Sequence, residues 1–210
     1  MAKPYIVRSG DYAAKIAAER GCSEDELWGL PTNQALREAS RDRNVLCPGD
    51  VLQVPEPRAV PLALTLGAHN PYAARLPVVP VRLRFHGPEG PLASAAYEVD
   101  IAGAITRGTS TGDGQVEFEV PVHVTEVVVR FPARRDIYRI AVGRLDPPSE
   151  RSGAVARLRQ LGFLVAADAI EVDDDALRLA LVGFQRARGL DLTGELDPDT
   201  VARLTEAFGC

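Results

Sequence analysis

The hydrophobic pattern of this chain changes character twice. In the first stretch YIVRSGD is a short β-branched strand, followed by DYAAKIAAERG, a helical segment that Asp11 can cap and Gly21 can stop. SEDE then offers a capping box, Ser23 with Glu26, ahead of Leu27, Trp28 and Leu30. PTNQALREASRDRN fits a little more helix, and VLCPGDVLQVP reads as a Pro-Gly-Asp turn feeding a second strand closed by Pro55. In the order strand, helix, helix, strand, the strands can pair only if the helices pack on one face of the pair.

From residue 60 to 145 the apolar positions recur with period 2: LALTL, VPVRLRFHG, AAYEVDIAG, QVEFEVPV, EVVVRFP and IYRIAVG, several of them separated by turns such as GPEGP and STGDG. About six short strands at this spacing predict a small antiparallel sandwich. LDPPSE then reads as an extended hinge. Beyond it the period becomes helical. Val155, Leu158 and Leu161 line a first helix, Leu177, Leu181 and Phe184 a second, and Val201, Leu204 and Phe208 a third. Asp197-Pro198 starts the third with a cap and a first-turn proline. The predicted fold class is multidomain α+β: a βααβ module at 1–56, a small antiparallel β-sandwich at 57–146, and a three-helix bundle at 147–210.

Charge removes one class of function. Residues 1–55 carry 7 basic and 8 acidic side chains, 56–146 carry 10 and 10, and 147–210 carry 7 and 11. No segment is basic, so the electrostatic footprint of a nucleic-acid binder is missing. No apolar run is long enough to span a membrane. MAKPYIVRSGDY carries nothing like an export signal, so the expected location is the cytoplasm, with any passage to the envelope or outside left to an injection machine. Cys22, Cys47 and Cys210 are odd in number and lack CxxC spacing, and His69, His86 and His123 are scattered. We therefore expect buried thiols, no metal and no cofactor; a Cys22–Cys47 disulfide is the lesser reading.

Tyr5, Val7, Gly10, Asp11, Ile16, Ala17, Leu27, Leu46, Gly49, Leu52, Val54 and Pro55 make the first module resemble a LysM domain. That resemblance implies a βααβ fold and binding of N-acetylglucosamine-containing glycans. Tyr12-Ala13 stands where the family has Thr-Leu, and an insertion precedes the second strand. The C-terminal Phe184-Gln185, Gly189-Leu190, Thr193-Gly194, Asp197 and Thr200-Val201 resemble the peptidoglycan-binding three-helix domain found beside many cell-wall hydrolases; VAADAIEVDDDAL replaces the turn its first half usually carries. PLASAAYEVDIAGAITRGTSTGDGQVEFEVP looks like an immunoglobulin-like or prealbumin-like spacer. The order of the three is similar to accessory proteins of type VI secretion and related contractile injection systems.

The candidate ligand-binding residues are Gly10, Asp11, Tyr12, Asn44, Gln185, Arg188 and Thr193. Tyr12 stands beside Gly10-Asp11 where a ligand can approach exposed amides, or is an ordinary surface ring. Gln185 can exchange hydrogen bonds with a peptide stem or an amide sugar, or brace the Gly194 turn. Arg188 and Thr193 are expected at the turn's rim, with no duty in the fold. Trp28 is read as core rather than as a sugar-stacking ring, and Asp173–Asp175 as a helix start rather than a metal site. Ser110 and His123 lie in no nucleophile motif, and no catalytic triad can be assembled. The expected protein is a non-catalytic adaptor that docks on proteins of an injection apparatus. The alternative is a peptidoglycan-binding protein acting at the cell wall.

Overall fold

The computed structural model describes residues 2–39, 42–57, 63–72, 76–164 and 172–209. Strands β1 (Lys3–Ile6) and β2 (Val51–Val54) pair antiparallel, with Tyr5 opposite Leu52 and Ile6 opposite Val51. Between them come helices α1 (Ala13–Arg20) and α2 (Glu24–Trp28), a 3₁₀ turn at Pro31–Asn33 and α3 (Gln34–Glu38). One face of the strand pair is covered. Val7, Ala13, Ile16, Ala17, Leu27, Leu46, Leu52 and Val54 form a buried cluster, with Tyr5, Cys22, Trp28 and Leu36 packed on its border, while Ile6 and Val51 stay exposed on the other face. Ser23 and Glu26 form the expected reciprocal cap, and Gly21 ends α1. Asn33 ties this turn to the sheet: its amide nitrogen donates to Leu27 O (2.8 Å) and Gln53 O (2.9 Å), and its Oδ1 accepts from Gln53 N (2.7 Å).

Asp11 does not cap α1. Tyr12 occupies the cap position without a side-chain bond, and the Asp11 carboxylate turns back instead to accept from Tyr5 Oη (2.7 Å), Arg8 N (2.9 Å) and Lys15 Nζ (3.2 Å). Three donors converging on one buried carboxylate outbid a single cap bond. Burial alone would raise the Asp11 pKa, but the hydrogen bonds from Tyr5, Arg8 and Lys15 outweigh it and hold the carboxyl below its ordinary value. A carboxyl with a lowered folded-state pKa stabilises fully above its unfolded value, and that contribution is lost as pH falls through the folded one. The melting temperature should therefore fall on acidification below about pH 4, with a shallower fall in Asp11→Asn. Thermal melts across that range check it, and an equally steep fall in the variant would remove Asp11 as the cause.

Eight strands follow: β3 (Val78–Arg84), β4 (His86–Gly87), β5 (Gly90–Pro91), β6 (Ala96–Ile101), β7 (Ala104–Thr109), β8 (Gln115–Pro121), β9 (Glu126–Phe131) and β10 (Asp136–Ala141). They form an antiparallel sheet of order β10-β9-β6-β7, the pair β3–β8 and the short pair β4–β5. Both larger sheets contribute to one core: Val116, Phe118 and Val120 from β8, Val99 from β6, and Val127, Val129 and Phe131 from β9, joined by Phe85. The rings of Phe85 and Phe131 meet edge-on at 5.1 Å.

Two sequence expectations change here. LALTL is not a strand over 63–66, and Leu62 lies outside the described residues; Asn70 accepts from Thr65 N (2.9 Å) and donates to Thr65 O (3.0 Å), taking groups a neighbouring strand would need. Conversely β7 was not anticipated. Its residues are exposed almost throughout, so it has no apolar alternation, and it is a strand because Ala102 and Gly103, both at positive φ, turn the chain back onto β6.

The C-terminal region holds α4 (Arg151–Gln160), α5 (Asp174–Arg188) and α6 (Pro198–Phe208), with α4 packed on both others. Asp173 caps α5 through Ala176 N (2.6 Å) and Asp197 caps α6 through Thr200 N (2.8 Å), so the acidic run starts a helix. Leu158, Leu177, Leu181, Phe184 and Leu204 are buried together. Val201 and Phe208 lie outside this cluster; Phe208 instead sits under the Arg157 guanidinium, 5.3 Å from the ring centre. LDPPSE is no free hinge. Arg157, fully buried, donates to Asp146 O (2.7 Å) and Gly153 O (3.1 Å) and binds the segment onto α4.

Cys22 and Cys47 are both thiols; Cys210 is outside the described residues. Among the described residues no helix is long and apolar enough to cross a membrane, and no group of three or more His, Cys, Asp or Glu side chains could hold a metal ion.

Candidate functional site

The seven candidate residues fall into two groups. The first is built where α5 ends and the chain turns through 189–197 into α6. Gln185 lies on the buried face of α5, one residue after Phe184, and is fully enclosed. Its Nε2 reaches Thr193 Oγ1 (2.8 Å), Thr200 Oγ1 (2.9 Å) and Glu195 O (3.2 Å), and its Oε1 accepts from Gly194 N (2.9 Å). An amide has two N–H donors, and here both are committed to the turn. Gln185 is therefore a brace and has no donor left for a ligand.

Thr193 corrects the expectation of a residue without duty. Its Oγ1 donates to Asp197 Oδ2 (2.7 Å) and accepts from Gln185 Nε2 and Glu195 N (3.2 Å). A buried amide, an exposed hydroxyl and the cap of α6 thus form one chain of bonds. The hydrogen bond from Thr200 N, followed by that from Thr193, holds the Asp197 carboxyl below its ordinary pKa. Thr193→Ala should cost about 1–2 kcal/mol, because the buried Gln185 amide loses a partner. Denaturant melts of the variant check this, and unchanged stability would mean the hydroxyl is replaceable by water.

Arg188 is different. It is exposed, and its guanidinium lies over the Phe184 ring, 5.7 Å from the ring centre. No hydrogen bond of the turn depends on it, which leaves its donors available at the rim. The convergent feature of this end of the helices is thus a hydrogen-bonded turn with the exposed Arg188 guanidinium at its edge.

The second group sits in the N-terminal region. Ala13 N donates to Arg43 O (2.9 Å), so the loop carrying Gly10, Asp11 and Tyr12 lies against the loop carrying exposed Asn44. That edge is not open. Gly10 O accepts from Lys15 Nζ (3.0 Å), Asp11 is committed as described, and Tyr12 is only 4% exposed, its hydroxyl donating to Val122 O (3.1 Å). Tyr12 presents no face to a ligand. Asn44 keeps an exposed side chain, its backbone N–H held by Asp42 Oδ1 (2.7 Å).

Sequence reasoning passed over Arg157 and Gly153, and named Thr200 only among the residues that carry the C-terminal resemblance. Each has a polar or space-limiting duty set outside its own helical turn, at residues 146–147 for Arg157 and Gly153 and at Gln185 for Thr200. Only Thr200, three residues after Asp197, had a local signal as the recipient of the cap. Ser110 is likewise structural, with its hydroxyl donating to Leu92 O (2.5 Å) and accepting from Ala95 N (2.9 Å).

Residues 149–204, which span α4, α5 and most of α6, match the family described as "Putative peptidoglycan binding domain". No curated protein and no solved structure matches the chain.

Proposed function

We propose that this protein is a non-catalytic adaptor that binds peptidoglycan through its C-terminal helices. The observation that carries the proposal is the family match over 149–204, which falls on the segment where the braced turn holds Arg188 at an exposed rim. A rigid turn next to a cation suits amide sugars and the carboxylates of stem peptides, because the ligand then orders few side chains on binding. The match favours this reading over docking on proteins of a contractile injection apparatus, to which no comparison points. A LysM-like role for the first module fits its strand-helix-helix-strand order, but with Tyr12 buried we place recognition in the C-terminal helices.

The test is co-sedimentation of the full chain with purified sacculi. The protein should pellet with sacculi, soluble wall fragments should compete, and Arg188→Ala should weaken binding with unchanged melting. A folded protein that remains in the supernatant would overturn the proposal.

A further inference from the structure

Helix α1 is buried on two sides. Ala13, Ile16 and Ala17 face the core of the N-terminal region. Ala14 and Ala18, one turn apart on another face, belong with Tyr12 to a separate apolar cluster whose other members are Val122 and Val79. These two valines come from the sandwich: Val79 lies in β3 and Val122 immediately follows β8. Tyr12 is therefore enclosed jointly by its own helix and by the neighbouring region.

The contact is made on both sides. Tyr12 adopts an extended backbone (φ −148°, ψ 162°) at the start of α1. The phenol hydroxyl donates to the Val122 carbonyl, just beyond the end of the β8 ladder, so its burial leaves no unsatisfied donor. Opposite the ring stands Gly143, after β10, with φ +75°; a Cβ there would come within 2.9 Å of two Tyr12 ring carbons and 3.0 Å of Gly10 O. Backbone conformation and space both call for glycine at that point. Small alanines on the helix, a glycine on the sandwich and a satisfied phenol between them form a fitted contact, unlike the polar seam expected between units that move separately.

We infer that Tyr12 latches the N-terminal region to the sandwich, so that residues 2–57 and 78–143 move as one body. The latch closes off the Gly10–Tyr12 loop and fixes which surface of the first region faces outward. The inference is independent of peptidoglycan binding and would stand if that proposal failed.

Backbone ¹⁵N relaxation of the full chain tests it. In the unaltered protein, amides of residues 2–57 and 78–143 should report a single rotational correlation time. In Tyr12→Ala and in Ala14→Arg, the value for residues 2–57 should fall by roughly half, as expected when a smaller body tumbles on its own. Amide shifts of the Ile16–Leu27–Leu52 core should stay in place. Ala14→Arg is included because arginine suits an exposed helix position, so this variant opens the contact without unfolding the helix. Faster tumbling of residues 2–57 in the unaltered protein, or unchanged tumbling in a folded Ala14→Arg variant, would overturn the latch.

Discussion

Phe184→Ala should unfold the C-terminal helices while the rest of the chain stays folded. Phe184 is fully buried, its ring edge-on to Phe163 at 5.4 Å and 90°, and it packs among Leu158, Leu177, Leu181 and Leu204. Removing a buried phenyl costs about 3–5 kcal/mol, from lost transfer energy plus the cavity left behind. A segment of this size has little margin to absorb that. Gln185 adds to the effect, since the turn it braces is positioned by the same stretch of α5. The single tryptophan, Trp28, borders the N-terminal core and so separates the events. Far-ultraviolet circular dichroism should lose an early helical transition, while the Trp28 fluorescence transition stays near its original temperature. An unchanged helical melt together with lost sacculus binding would instead make Phe184 a ligand contact.

Gly153→Ala should be nearly as damaging, in a place where helix propensity alone predicts the opposite. Alanine is worth about 1 kcal/mol over glycine inside a helix. At Gly153, however, a Cβ would lie 2.0 Å from Pro147 O and 2.4 Å from Asp146 O. These are backbone atoms of a segment also held by Arg157, so neither side can yield as a flexible side chain would. Displacing the segment strips the buried guanidinium of an acceptor and disturbs the contact with Phe208. Overpacking against backbone at this range should outweigh the propensity gain, for a net loss of about 2–3 kcal/mol. Denaturant melts check it. A stabilised Gly153→Ala would show that residues 146–147 do not lie on α4.

The parts of the fold that were legible are those whose cause is local. The Ser23–Glu26 box, Gly21 at the end of α1, Asp173 and Asp197 as caps, Pro198 in a first turn, and the alternation of β8 and β9 are each set by residues within a few positions of one another. LALTL shows the limit of the same reasoning. Its alternation suits a strand, but a strand exists only if a partner takes its backbone groups, and Asn70 took them first. The edge strand β7 shows the converse, pairing with β6 without any apolar pattern of its own.

The candidate site divides in the same way. The turn between α5 and α6 was recognisable from Gln185, Thr193 and Asp197, whose spacing lets them meet within a single turn. Whether each faces a ligand or the fold depends on where its donors point, and the enclosed Gln185 amide settles that only in three dimensions. Sequence by itself determined the three successive patterns, most of their caps and turns, and a C-terminal segment that resembles the family matched over 149–204. Tertiary structure alone decided that Tyr12 meets Val122, 110 positions along the chain, that Arg157 is buried beneath Asp146, and that Gly153 must be bare. The reason is that each of these residues is defined by a surface of another segment: the end of β8 for Tyr12, and for Arg157 and Gly153 the non-helical stretch 146–147, whose path back over α4 no pattern fixes. No periodicity in the chain encodes a neighbour that only folding brings near.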